Sequence, residues 1–162
     1  MSVTIRPARP GDEAVIAELV RALAAYEKLE HLVESTPESL AAALFAPGAR
    51  VFCDLAEEDG AAVGFALWFY TFSTFTGRHG LYLEDLFVWP ERRGRGAGKA
   101  LLSHLARRCV DEGLTRFEWS VLDWNTPSIA FYEAQGARLL DDWTMCRVDG
   151  PALAKLAGEA AS

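Results

Sequence analysis

The stretch Tyr82-Leu83-Glu84-Asp85-Leu86-Phe87-Val88-Trp89 runs into Arg93-Gly94-Arg95-Gly96-Ala97-Gly98 and from there into an amphipathic run. This reads as a strand, a glycine-rich turn dense in backbone N–H groups, and a helix that opens on the turn. The unit constrains the fold, because two parallel strands can be neighbours only through a long crossover connection. The next strand-like segment, residues 116–122, is the parallel partner. A helix N-terminus carries unpaired N–H groups and the positive end of the macrodipole. Anions settle there. With two arginines in the turn, the unit is built to hold a pyrophosphate beside the end of a strand.

The rest of the chain supplies the layers around that unit. Residues 3–6 alternate and are stopped by Pro7 and Pro10, the signature of a short strand. Apolar residues at Val15, Ile16, Leu19, Val20, Leu23 and Tyr26 recur at helical spacing across residues 12–29. Thr36 followed by Pro37 predicts an N-cap and a first-turn proline, opening a shorter helix to about Phe45. Residues 50–56 and 61–72 are strand formers joined at Asp59-Gly60, a hairpin turn. Residues 73–79 read as a polar loop and 80–89 as the next strand. Ala97, Leu101, Leu102, Leu105, Cys109 and Val110 make the stripe of a helix ending near Gly113. Asn125-Thr126-Pro127-Ser128 starts a short helix over residues 127–135, which Gly136 terminates. Residues 138–140 and 143–148 read as a closing pair of strands, and Gly150-Pro151 opens a C-terminal helix. The alternation of elements predicts one mixed α/β domain over residues 1–162, with no linker or repeat.

Composition excludes several classes. A chain of 162 residues with 51% hydrophobic and 24% charged side chains is ordinary for one globular domain. The formal net charge of −7 argues against nucleic acid, which needs a basic footprint, and is compatible with a cationic substrate. No apolar run reaches the roughly 20 residues that span a bilayer. The first residues lack the basic and apolar regions of a signal peptide, so a cytoplasmic protein with no membrane partner is expected. Cys53, Cys109 and Cys146 form no CxxC, and His31, His79 and His104 show no ligand spacing, so no metal is expected.

The glycine turn is neither of the two common nucleotide motifs. In a Walker A loop Gly-Lys is followed by Ser or Thr, whereas Gly98-Lys99 precedes Ala100, and Arg93 stands where the first glycine belongs. A dinucleotide fingerprint needs GxGxxG, but Gly94, Gly96 and Gly98 are spaced GxGxG. Glu118 does fall about 20 residues on, which keeps a trace of that reading.

Taken with the rest of the chain, the turn resembles the Arg/Gln-x-x-Gly-x-Gly/Ala acyl-CoA signature of the GNAT superfamily of N-acetyltransferases. Within it the chain is similar to the spermidine/spermine (diamine) and thialysine N-acetyltransferase branch. Matching pieces are Ile5-Arg6-Pro7-Ala8, Tyr26-Glu27, Val63-Gly64-Phe65-Ala66, residues 81–88, Asn125-x-Pro127-Ser128-Ile129-x-Phe131-Tyr132 and Gly136-Ala137. The resemblance implies a mixed, mostly antiparallel sheet whose central parallel strands splay apart, flanked by helices. It implies acetyl-CoA as co-substrate, its pantetheine arm against the backbone of Leu86, Phe87 and Val88. The pyrophosphate would be wrapped by Arg93, Gly94, Arg95, Gly96, Ala97, Gly98 and Lys99, and Asn125 and Ser128 would contact CoA. Asn125 and Ser128 also read as an N-cap pair.

The same resemblance implies the catalytic roles. The acceptor amine must lose a proton, and Glu84 matches the substrate-side glutamate that would take it, directly or through water. Simple strand alternation puts Glu84 with Tyr82 and Leu86 on one face, and Asp85 with Leu83 and Phe87 on the other. Tyr132 holds the position of the general acid for the CoA thiolate, on a short helix expected to face the gap between the strands. Tyr26, Glu27, Glu84 and Asp141 (or Asp142) are the substrate contacts. The implied reaction is direct transfer, in a ternary complex, to a primary amine of a small cationic acceptor such as spermidine or spermine. A thialysine- or lysine-like amino acid, or a protein amine, fits the same acidic residues. A non-catalytic acyl-CoA sensor would need neither Glu84 nor Tyr132. Homodimers are usual in the branch, so a homodimer is expected.

Overall fold

The computed structural model describes residues 2–159 and divides into two compact units, one ending at Leu122 and the other beginning at Asp123. The first unit contains a five-stranded sheet in sequence order. Its strands are β1 (Thr4–Pro7), β2 (Phe52–Glu58), β3 (Ala61–Ser73), β4 (Arg78–Val88) and β5 (Phe117–Trp119). Neighbours are antiparallel except β4 and β5, the parallel pair that the strand–turn–helix unit requires. Three helices belong to this unit: α1 (Glu13–Tyr26), α2 (Pro37–Phe45) and α3 (Ala97–Glu112). Thr36 and Ser39 cap α2 reciprocally, and Gly113 ends α3 at φ 68.

The hairpin turn at Asp59-Gly60 has φ of 52 and 78 at its two residues, the left-handed pair a tight hairpin needs. Strand and loop divide differently from the sequence reading at the next hairpin. β3 runs on to Ser73 and β4 begins at Arg78, so only the tip of residues 73–79 is loop.

The sheet is covered on both faces. On one, Cys53, Leu55, Phe65 and Phe87 pack with Ile16 and Leu19 of α1, and Leu40 and Leu44 of α2 adjoin them. On the other, α3 buries Leu101 and Leu105. There Asp54, almost wholly buried, accepts the Trp68 Nε1–H at 2.8 Å, lies 3.4 Å from His104 Nε2, and has Arg108 stacked over the Trp68 ring. Arg6 ties β1 to the start of α1, bonding Asp12 at 2.7 Å and Glu57 at 2.6 Å. That guanidinium holds the Asp12 carboxyl below the usual carboxylate range.

β4 is not a plain strand. Asp85 pairs with Leu67 but Leu83 pairs with Trp68, so one extra residue, Glu84, is accommodated on β4. Such a bulge reverses the in–out pattern of everything beyond it. The expectation that Asp85 shares a face with Leu83 is therefore corrected. Asp85 joins Tyr82 and Phe87 on the α1 side, while Leu86 and Val88 join Leu83 on the α3 side, and Glu84 is exposed at the kink.

The second unit carries α4 (Thr126–Ala134) and α5 (Gly150–Leu156). Asn125 caps α4, its side chain accepting the Ser128 N–H at 3.4 Å, and Gly136 follows the helix at φ 94. The closing pair of strands expected at residues 138–140 and 143–148 does not form. These residues have strand-like alternation, but a strand exists only through ladder bonds to a neighbour. Here Leu139, Leu140, Trp143, Met145 and Val148 are exposed, and no ladder reaches them among the described residues. β5 is likewise shorter than the 116–122 read from its side chains.

Candidate active site

The parallel pair is short. Leu81, Tyr82 and Leu83 oppose Phe117, Glu118 and Trp119, and pairing then stops while β4 continues for five residues. Tyr82 Oη and Ser120 Oγ, 2.8 Å apart, bridge the strands where they part. Beyond that point β4 has a strand on one side only. Trp89 donates its N–H to Val63 of β3 at 2.9 Å. By strand alternation Phe87 also bonds toward β3, and the N–H and C=O groups of Leu86 and Val88 turn toward the open edge. An extended chain with amide groups can add itself to such an edge as a further strand.

The glycine turn lies at the end of this edge. Gly94 and Gly96 adopt φ of 78 and 91, and a Cβ built on either meets nothing within 4 Å. Left-handed glycines of this kind let a backbone turn several N–H groups toward one side, and no side chain among the described residues caps α3 at Gly96. The first turn of a 16-residue helix is thus left open to an anion. Arg93 does not project freely: its Nε donates to the Val88 carbonyl at 3.0 Å, and its guanidinium lies 5.2 Å from the centroids of both Tyr26 and Phe87. The open edge, the left-handed glycines and the uncapped helix form a cradle that fits a pantetheine arm leading to a pyrophosphate.

On the α1 side of the bulge Asp85 feels the charges of two other carboxylates, Glu84 and Glu27. Glu27 is the C-cap of α1, next to Tyr26, and burial raises its pKa. Asp85 is pushed up to about 7, by burial first and then by the charges of Glu84 and Glu27. Arg93 thus links Tyr26 to the Phe87–Val88 edge, and Glu27 and Glu84 both act on Asp85. Asn125, Ser128, Tyr132 and Asp141 lie on the second unit: Asn125 is buried, Tyr132 packs its ring at 5.5 Å from Phe131 on α4, and Asp141 is exposed in a turn.

Sequence reasoning missed Asp85. The available signal was two consecutive carboxylates inside an apolar strand, one of which must turn inward. Among the described residues no group of three or more His, Cys, Asp or Glu side chains is arranged to hold a metal ion, and no helix is long and apolar enough to cross a membrane.

Residues 16–137 match the acetyltransferase (GNAT) family. A thialysine N-epsilon-acetyltransferase from Sus scrofa is 37% identical over 98% of this chain and 99% of its own length. An L-ornithine N5-acetyltransferase from Arabidopsis thaliana is 31% identical over 92% of this chain and 85% of its own length. Among solved structures, an integron cassette protein from the mobile metagenome of V. cholerae superposes with a TM-score of 0.80 at 26% identity, covering 97% of this chain and 98% of that one. Acetyltransferases of this family use acetyl-CoA as the acetyl donor, and what they transfer to here is an amine. The chain belongs to the GNAT family and is an N-acetyltransferase.

Proposed function

We propose that this N-acetyltransferase acetylates the terminal, side-chain amine of a small basic amino acid of the thialysine and ornithine type. The observation that carries the reading is the group of Glu27, Glu84 and Asp85 beside an open β4 edge. Three carboxylates favour a cationic acceptor, and one of them, Asp85, is pushed up to about 7 and so can exchange a proton near neutral pH. The relatives from Sus scrofa and Arabidopsis thaliana are named for an ω-amine on a short amino acid, which supports the acceptor class.

In this reading the Glu84–Asp85 pair holds the ammonium and takes its proton, with Tyr26 and Glu27 lining the approach. Leu86 and Val88 align the pantetheine arm through their backbone. A backbone N–H of the same segment stabilises the charge that develops on the thioester oxygen. The amine nitrogen forms its bond to the acetyl carbon as the carbon–sulfur bond breaks, and Tyr132 returns a proton to the departing thiolate. Arg95, Gly94, Gly96, Ala97, Gly98 and Lys99 hold the pyrophosphate, and Asn125 and Ser128 contribute from the helix they open. The transfer is direct, within a ternary complex. The buried Cys53 and Cys109 thiols are raised in pKa by burial, so neither is an activated nucleophile.

A polyamine is the second reading. It is cationic along its length and suits three carboxylates without further help, whereas an amino acid brings a carboxylate of its own. Arg93, stacked on Tyr26, is the cation available to receive that group.

The test is CoA release from acetyl-CoA with thialysine, lysine, ornithine, spermidine, spermine, putrescine and a basic peptide. Turnover confined to the amino acids supports the first reading. Preference for spermidine or spermine replaces it with the second. Acetyl-CoA binding with no amine-dependent release would mean that the three carboxylates do not serve catalysis.

A further inference from the structure

Glu58, the last residue of β2, lies outside every role described so far. Its side chain is 1% exposed, yet it faces two guanidinium groups: Oε2 is 3.4 Å from Arg92 Nη1 and 3.5 Å from Arg95 Nη1. Its second oxygen, Oε1, is buried with no hydrogen-bond partner among the described residues. A buried carboxylate with one unsatisfied oxygen is costly, and such groups persist where the surrounding structure uses them. The two guanidinium groups it holds are in a different position. Arg92 and Arg95 remain 38% and 47% exposed, so each keeps part of its guanidinium accessible to solvent beside the glycine turn.

Charge explains the arrangement. Two guanidiniums close on the same oxygen would repel one another if left alone, and long arginine side chains on a glycine turn would otherwise sample many rotamers. A single buried carboxylate between them removes both penalties. One negative charge against two positive ones leaves a net positive turn with its rotamers already restricted. An anion arriving there meets preorganised donors.

We propose that Glu58 is a positioning residue that fixes Arg92 and Arg95 for the phosphate end of the acetyl donor. The inference rests on the acetyl-CoA reading of the turn, and adds two residues to it, Glu58 and Arg92. Glu58 touches neither the acetyl group nor the amine, so its effect belongs to donor binding alone.

The experiment compares two acetyl donors, acetyl-CoA and S-acetylpantetheine, which carries the thioester and the arm but no phosphate. Glu58→Gln should raise KM for acetyl-CoA about three- to tenfold, the scale of one charge-assisted contact, with kcat unchanged. KM for S-acetylpantetheine should stay at the wild-type value. Arg92→Gln should give the same pattern, and remains available if Glu58→Gln does not fold. Glu58→Asp, which keeps the charge, should restore part of the loss. An equal effect on both donors, a fall in kcat, or unchanged KM for acetyl-CoA would overturn the proposal, as would tighter acetyl-CoA binding. Wild-type protein that uses both donors equally well would instead remove the phosphate-binding reading of the turn itself.

Discussion

Leu83 and Asp85 stand two residues apart on β4 and face opposite sides of the sheet, because Leu83 pairs with Trp68 while Asp85 pairs with Leu67. In a regular strand they would share a face. The extra residue between them, Glu84, sits at a turning point of the strand. It turns Asp85 toward the α1 side, and it follows directly on Leu83, the last residue of β4 paired with β5. The acidic group and the start of the open edge thus lie at the same kink.

Asp85 makes stability depend on pH in an unusual direction. Its folded carboxyl is raised to about 7 by burial, Glu84 and Glu27, so between the ordinary carboxylate range and 7 the folded chain holds a proton that the unfolded chain has released. Stability from this group is therefore greatest at the acidic end of that window and falls as pH rises through it. At ~1.4 kcal/mol per unit the whole shift bounds the loss at about 4 kcal/mol. Asp85→Asn should melt several degrees higher than the parent at about pH 8, with the difference closing toward about pH 5. Thermal melts across that range check it. A difference independent of pH would mean that Asp85 does not titrate there.

Glu84 is tested by rate rather than by melting. If the Glu84–Asp85 pair takes the proton, the acidic limb of kcat/KM reports the pair as a unit. Glu84→Gln should lower kcat by about tenfold to a hundredfold and flatten that limb. A pH–rate profile with the limb unmoved would assign the proton to water or another carboxylate.

Much of this was legible before the fold was known, and the failures share a cause. Helix periodicity, the Thr36-Pro37 start, the Asp59-Gly60 turn and the parallel crossover are local signals, and each is found at its place. The bulge is not local: whether β4 carries an extra residue depends on how β3 opposes it, so alternation read along one strand kept its sharing of a face with Phe87 but wrongly gave Asp85 the face of Leu83. The strands expected after Gly136 failed in the same way, since side chains suited to a ladder do not supply the neighbour. Glu58 was hidden for a further reason. Within Glu57-Glu58-Asp59-Gly60 it reads as one of several carboxylates at a hairpin, and its partners lie more than 30 residues on.

Tyr132 carries the proposed acid role, and that role separates from donor binding. Replacing its hydroxyl with hydrogen leaves the ring that packs beside Phe131 on α4. Tyr132→Phe should lower kcat about a hundredfold, the ordinary worth of a positioned proton donor. The dissociation constant of acetyl-CoA, measured by calorimetry, should change less than about twofold, within the scatter of a neutral contact. Unchanged turnover would transfer the acid role to solvent.

Gly64 provides a control on the donor edge, through packing alone. A Cβ at this position would lie 2.7 Å from the Phe87 carbonyl oxygen, 2.9 Å from Val88 Cγ2 and 3.2 Å from Val88 Cα. The oxygen and Cα are backbone atoms and cannot swing away, so Gly64→Ala must push Phe87 and Val88 outward along the open edge. Overpacking of this kind destabilises by about 1–3 kcal/mol. If the Leu86–Val88 backbone aligns the pantetheine arm, the displaced edge should raise KM about tenfold for acetyl-CoA and S-acetylpantetheine alike, since both carry that arm. This is the opposite of the donor-selective loss expected for Glu58→Gln. Steady-state kinetics with both donors on both variants therefore distinguishes the pantetheine edge from the phosphate turn. A Gly64→Ala enzyme that is less stable but keeps both KM values would show that the arm does not follow β4.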